Sequence, residues 1–181
     1  SHTYVDPQYH QATYNTVFRL SEPVPVRLDV KFLQNWKPLP IMDAELLSQV
    51  ERTLRESSVF KPTTDTNAPV KISVTAHKIK DASSRRKGFV TGLTFGISGS
   101  MKDDHYEFTF TYQDAANRKE KAVYPHAIHT ATGDIANPSG LYPMKPDEAF
   151  GCVVEDTVLN FIKYLQDKGL ITRYGLNVKK D

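Results

Sequence analysis

The stretch from Pro146 to Gly169, PDEAFGCVVEDTVLNFIKYLQDKG, constrains the fold more than any other part of the chain. Phe150, Val153, Val154, Val158, Phe161, Ile162 and Leu165 recur at helical spacing and make a broad apolar stripe. Pro146 suits the first turn, and Asp147 and Glu148 sit where a helix dipole favours negative charge. Gly169 is a stop signal. A stripe this wide cannot stay in water, so the helix needs a second layer to cover.

A second helix is predicted in DAELLSQVERTLRESSVF, where Asp43 can cap the start and Leu46, Leu47, Val50 and Leu54 form the stripe. The covering layer is legible as period-two segments. Val24, Val26, Leu28, Val30 and Phe32 alternate with Arg27, Asp29 and Lys31. VKISVTAHKI and HYEFTFTYQD alternate in the same way, and DAAN reads as a hairpin turn into RKEKAVYPHAIHTAT. Pro125 interrupts that last strand, which marks a bulge or an edge. The order predicts an α+β two-layer sandwich: a mixed or antiparallel sheet of four to five strands with two helices on one face. Residues 24–170 form this single domain. Residues 1–23 lack a period and read as a tail or linker, and 171–181 as a C-terminal tail.

KGFVTGLTFGISGS places Gly88, Gly92 and Gly96 four apart. The apolar run is too short for a membrane span, and it matches neither a phosphate-binding glycine loop nor a G-x-S-x-G elbow. Leu93, Phe95 and Ile97 alternate with small residues, so we expect a strand from about Thr91 to Lys102, turning through MKDD onto Tyr106–Tyr112. Its bare face, with Gly92, Gly96 and Gly99, could receive a partner.

The remaining signals argue against chemistry. A formal net charge of +2 over 181 residues carries no basic stripe for nucleic acid. One cysteine, Cys152, excludes an intrachain disulfide and reads as a packed thiol. His126 and His129 are three apart on a strand, so they point to opposite faces and do not chelate one metal. Asp103, Asp104 and His105 read as a solvated turn; Glu155 and Asp156 diverge on a helix. Arg85, Arg86 and Lys87 read as a solvated loop, and the row Tyr106, Phe108, Phe110 and Tyr112 as core. No metal, cofactor or catalytic set is expected.

LLSQVERTLRESSVF, GLTFGISGS, HYEFTFTYQDAANR and AFGCVVEDTVLNFIKYLQDKGL together resemble small bacterial envelope lipoproteins. Their globular part is similar to the TolB N-terminal domain, as in the lipoprotein activators of penicillin-binding proteins and related secretion lipoproteins. The resemblance covers about residues 24–170 and brings no catalytic residues. It implies a periplasmic, outer-membrane-anchored lipoprotein of a Gram-negative bacterium, with a lipid-bearing cysteine before Ser1 and residues 1–23 as tether. The expected function is non-catalytic: binding or scaffolding another envelope protein, with strand addition at the Pro125-bearing strand. Candidate contact residues are Gly92, Gly96, Gly99, Pro125, His126 and His129. The alternatives are an immunity protein that plugs a toxin, a small hydrolase using His126 or His129, and a carrier of an apolar ligand between helices and sheet.

Overall fold

In the computed structural model, which describes residues 2–79, 98–134 and 140–178, the alternating segments become one seven-stranded mixed sheet. Its strands are β1 (His2–Val5), β2 (Val24–Gln34), β3 (Lys37–Pro38), β4 (Phe60–Thr63), β5 (Val70–Ile79), β6 (Ser98–Asp114) and β7 (Lys119–Asp134). They lie in the order β1-β7-β6-β5-β2-β3, with β4 beside the first half of β2. β2 runs parallel to β4 and β5, and the other pairs are antiparallel. The parallel crossover from β2 carries helix α1 (Asp43–Ser57), and helix α2 (Pro146–Asp167) follows β7.

The class is the expected α+β sandwich, with more strands than the sequence patterns show. β1, β3 and β4 have four, two and four residues, too few to display a period. Alternation sets the inner face: Val26 pairs with Val70, Val74 with Phe110 and Ile72 with Tyr112, all buried against the helices. α1 brings Leu46, Val50 and Leu54 to this core, and α2 brings Val154, Phe161 and Leu165. The Phe110 and Phe161 rings stack at 4.9 Å between centroids. Asp43 does not cap α1: its Oδ1 accepts from the Phe32 N–H of β2 at 2.9 Å, which ties the helix start to the sheet. α1 ends on Ser58 in the left-handed region, and Val59 and Phe60 then turn directly into the core.

Several expectations need correction. The expected tail or linker at 1–23 is corrected over its described part, 2–23. β1 pairs with β7 from His2↔Ala131 to Val5↔Ile128, and Tyr4, Ala12, Val17 and Leu20 are buried. The expected C-terminal tail is corrected over its described part, 171–178: Ile171 is buried, and Ile171–Thr172 (β8) pairs with Gly175–Leu176 (β9). No turn falls at Met101–Asp104. These residues lie inside β6, in register with Ala131, Thr130, His129 and Ile128 of β7, so the long hairpin overrides the polar run. Gly92 and Gly96 lie outside the described residues, and Gly99 is a β6 residue opposite Gly133. Pro125 makes no bulge, because the β6–β7 register runs through Glu107↔Pro125 without a break. It does lie on an edge, since β1 pairs with β7 no further than Ile128.

Candidate functional site

Both buried histidines of β7 are tied to the N-terminal segment, His126 through Asp156 of α2 and His129 directly through Asp6. α2 is buried on two sides, and Asp156, Asn160 and Gln166 are buried polar residues within it. Their partners come from the segment after β1, which crosses the helix as a strap without a strand ladder. Ala12 N–H donates to Asn160 Oδ1 at 2.9 Å, and Phe18 N–H to Gln166 Oε1 at 3.0 Å. Gln166 Nε2 returns a bond to the Phe18 carbonyl at 2.8 Å. The Tyr14 hydroxyl lies 2.9 Å from both Glu155 and Glu56, joining α2 to α1. Burial and these carboxylates push its pKa well above the ordinary phenol range.

His126 faces the helix layer and is 1% exposed. The Ala127 N–H donates to its Nδ1 at 2.8 Å, so Nε2 carries the proton and donates to Asp156 Oδ2 at 2.8 Å. The other oxygen of Asp156 takes His10 Nδ1 of the strap at 2.6 Å. One carboxylate thus joins strap, helix and sheet.

His129 sits on the opposite sheet face and is 2% exposed. Nδ1 donates to Asp103 Oδ1 of β6 at 2.7 Å, and Nε2 to Asp6 Oδ2 at 2.8 Å. With a carboxylate on each ring nitrogen, the ring is an imidazolium. Burial opposes that charge, but the hydrogen bonds to Asp6 and Asp103 outweigh it and raise the His129 pKa. Burial also opposes ionisation of Asp6, and the bonds from His129 and from Gln8 outweigh it and hold its carboxyl low. The expectation of opposite faces for His126 and His129 holds. Neither reaches the surface, so the reading of both as partner contacts is corrected. Asp103 and His105 are likewise sheet residues, with His105 buried, rather than a solvated turn.

The strap also rims a hollow of about 460 Å³ beside His10, lined among others by Tyr4, Leu141, Tyr142, Met144 and Cys152. Burial, then Glu155 and Asp156, push the Cys152 thiol up, so it is held protonated. Among the described residues no cluster of three or more His, Cys, Asp or Glu side chains is arranged to hold a metal. The constellation can neutralise buried charge and fasten the N-terminus.

Sequence reasoning found the two histidines, missed Asp6 and His10, and read Asp103 and Asp156 as part of a solvated turn and as one of a diverging pair rather than as the histidines' partners. One signal was available: Asp156 and Asn160 interrupt a helix that is otherwise apolar around most of its girth.

No family model matches the chain, and no curated protein matches it. Among solved structures, the chain is similar to protein XCC0632 from Xanthomonas campestris, at 11% identity over 88% of this chain and 90% of that one, with a TM-score of 0.44. It is similar to the PelC dodecamer from Paraburkholderia phytofirmans, at 13% identity over 81% and 92%, with a TM-score of 0.39. It is also similar to an uncharacterized lipoprotein B from Nitrosomonas europaea, at 13% identity over 84% and 91%, with a TM-score of 0.41. Bacterial lipoproteins are therefore among the solved structures that the chain resembles.

Proposed function

We propose that the chain is a non-catalytic domain of the bacterial cell envelope, on the periplasmic side, that binds or scaffolds another envelope protein. The observation that carries this reading is the saturation of both candidate histidines. Each ring nitrogen of His126 and His129 is hydrogen-bonded within the domain, and both rings are buried. A general base needs a ring nitrogen within reach of a substrate proton. The envelope setting rests on the resemblance of the quoted segments.

The surface offers a contact point at the turn between β2 and β3. Trp36 is 77% exposed and Ile41 83%, five residues apart along the chain. Trp36 has φ 69°, a left-handed conformation that bulky residues rarely adopt. Its N–H donates to His77 Nε2 at 3.0 Å, and its ring lies 4.2 Å from the His77 ring. A tryptophan held outward at such a position suits an interface anchor. The strand-addition route finds less support: the free stretch of β7 carries Lys119, Lys121 and Pro125, and β3 and β4 carry Pro38 and Pro62. Lysine and proline are the residues that blunt sheet edges.

The test replaces Trp36 with a photoreactive phenylalanine analogue in the full chain, expressed in its own bacterium. Irradiation is expected to give a discrete adduct with an envelope protein, and Ile41→Arg should abolish it. No adduct from this position or from a scan of the remaining surface overturns the binding reading. Ester or amide hydrolysis that vanishes in a folded His126→Gln variant overturns the non-catalytic one.

A further inference from the structure

The outer face of the sheet, opposite the helices, is built from the residues that alternate with the core. Register places Arg27 beside Lys71, Lys71 beside Gln113, and Gln113 beside Lys119. The next row runs Asp29, Ser73, Thr111, Lys121, and the next Lys31, Thr75, Thr109, Val123. Lys61 of β4 projects on the same side, opposite Pro25 of β2. Five strands at about 4.8 Å spacing and some six residues of strand length make this a patch of roughly 20 by 20 Å.

The patch holds six cations, Arg27, Lys31, Lys61, Lys71, Lys119 and Lys121, against the carboxylates Asp29 and Glu107. Whole-chain charge is only +2, so this face carries an excess that the rest of the molecule offsets. None of the six is ion-paired among the described residues. On the helix side, by contrast, Arg52, Arg55 and Lys163 each have a carboxylate within 3.5 Å. Five of the six are exposed, and Arg27 is half-buried. A shallow hollow of about 440 Å³ within the patch has Lys71, Lys119 and Lys121 around the hydroxyls of Ser73 and Thr111.

We propose that this face docks on an anionic, phosphate-bearing lipid surface. The cations spread in two dimensions over a gently twisted plane, which matches an array of headgroups. A single-chain polyanion would instead be served by a groove or a single stripe. The patch lacks the aromatic side chains on which nucleic-acid bases stack. Serine and threonine hydroxyls between the lysines supply donors to phosphate oxygens. Near a membrane surface each cation contributes about fivefold to partitioning. The inference does not rest on the protein-binding reading above, and its test uses the purified chain alone.

The full 181-residue chain is co-sedimented with vesicles of equal parts phosphatidylglycerol and phosphatidylcholine, and with phosphatidylcholine alone. Binding to the anionic vesicles is expected at roughly 0.01 M salt and should be lost at about 1 M, where the Debye length shrinks to about 3 Å. The triple variant Lys71→Ala, Lys119→Ala, Lys121→Ala removes exposed side chains only. It should weaken partitioning on the order of 100-fold. Arg55→Ala with Lys163→Ala, on the helix side, should leave it unchanged. Equal binding to both vesicle types, no binding at low salt, or a triple variant that partitions like the parent overturns the proposal. So does capture of soluble polyphosphate by a chain that ignores the vesicles.

Discussion

Replacing Asp6 with alanine tests the N-terminal tie most directly. The carboxylate accepts from His129 Nε2 at 2.8 Å and from Gln8 through both backbone and side chain, at 3.0 and 3.1 Å. Breaking a fully isolated buried ion pair costs about 3–5 kcal/mol. Here His129 keeps its bond to Asp103, so the loss should lie nearer one charge-assisted hydrogen bond plus the Gln8 contacts. We expect about 2–3 kcal/mol, a large share of the roughly 5–15 kcal/mol that holds a typical domain. Urea denaturation with an unchanged m-value is the assay. The pH profile gives a second readout. The pKa of His129 is raised on folding, so its contribution is complete below its unfolded value of about 6.5 and is lost as pH rises through the folded value. The pKa of Asp6 is lowered, so its contribution is complete above about 3.9 and is lost as pH falls through its folded value. Stability from the tie should therefore be flat between these limits and decline on the alkaline side by at most about 1.4 kcal/mol per pH unit. Asp6→Ala should shrink that alkaline decline. A loss below about 0.5 kcal/mol, or an alkaline limb identical to the parent's, would refute the assignment of a charged His129 held by Asp6.

Two further outcomes follow from the same geometry. Deleting residues 1–21 should abolish the cooperative thermal transition, because it removes β1 and the strap partners of Asp156, Asn160 and Gln166; a true linker could be cut without moving the midpoint. The Cys152 thiol should react with iodoacetamide more slowly at pH 7 than a free cysteine does, since burial and two neighbouring carboxylates disfavour the thiolate; a rate above that of free cysteine contradicts this.

The two layers were legible because each long element repeats its own pattern. β2 and β5 alternate over ten or more residues, and α2 carries apolar residues at helical spacing from Phe150 to Leu165, about four turns. The strap was not legible for a physical reason. The buried apolar residues of β1 and the strap, Tyr4, Ala12, Val17 and Leu20, fall at intervals of eight, five and three, because they fit a surface made by other elements. No local period can encode that. The opposite faces of His126 and His129 follow from strand geometry, but their carboxylate partners lie 26 to 123 residues away. The run Met101–Asp104 looked like a turn because two aspartates favour one; inside β6, Asp103 finds His129 directly across the ladder, which removes the cost of holding it in a strand.

Backbone hydrogen bonding explains why α2 is polar where it is. A strap that crosses a helix has no neighbouring strand, yet its N–H groups still need acceptors once water is excluded. Side-chain amides on the helix are the acceptors at hand, and Asn160 and Gln166 serve the Ala12 and Phe18 N–H groups. The strap's own side chains need the same treatment, which Asp156 gives to His10 and Glu155 to Tyr14. The buried polar residues of α2 thus record which part of the chain lies on top of it. With one sheet face covered by helices, and α2 fastened beneath a strap, the end of the outer sheet face that carries Lys31, Lys61, Lys71, Lys119 and Lys121 stays exposed among the described residues.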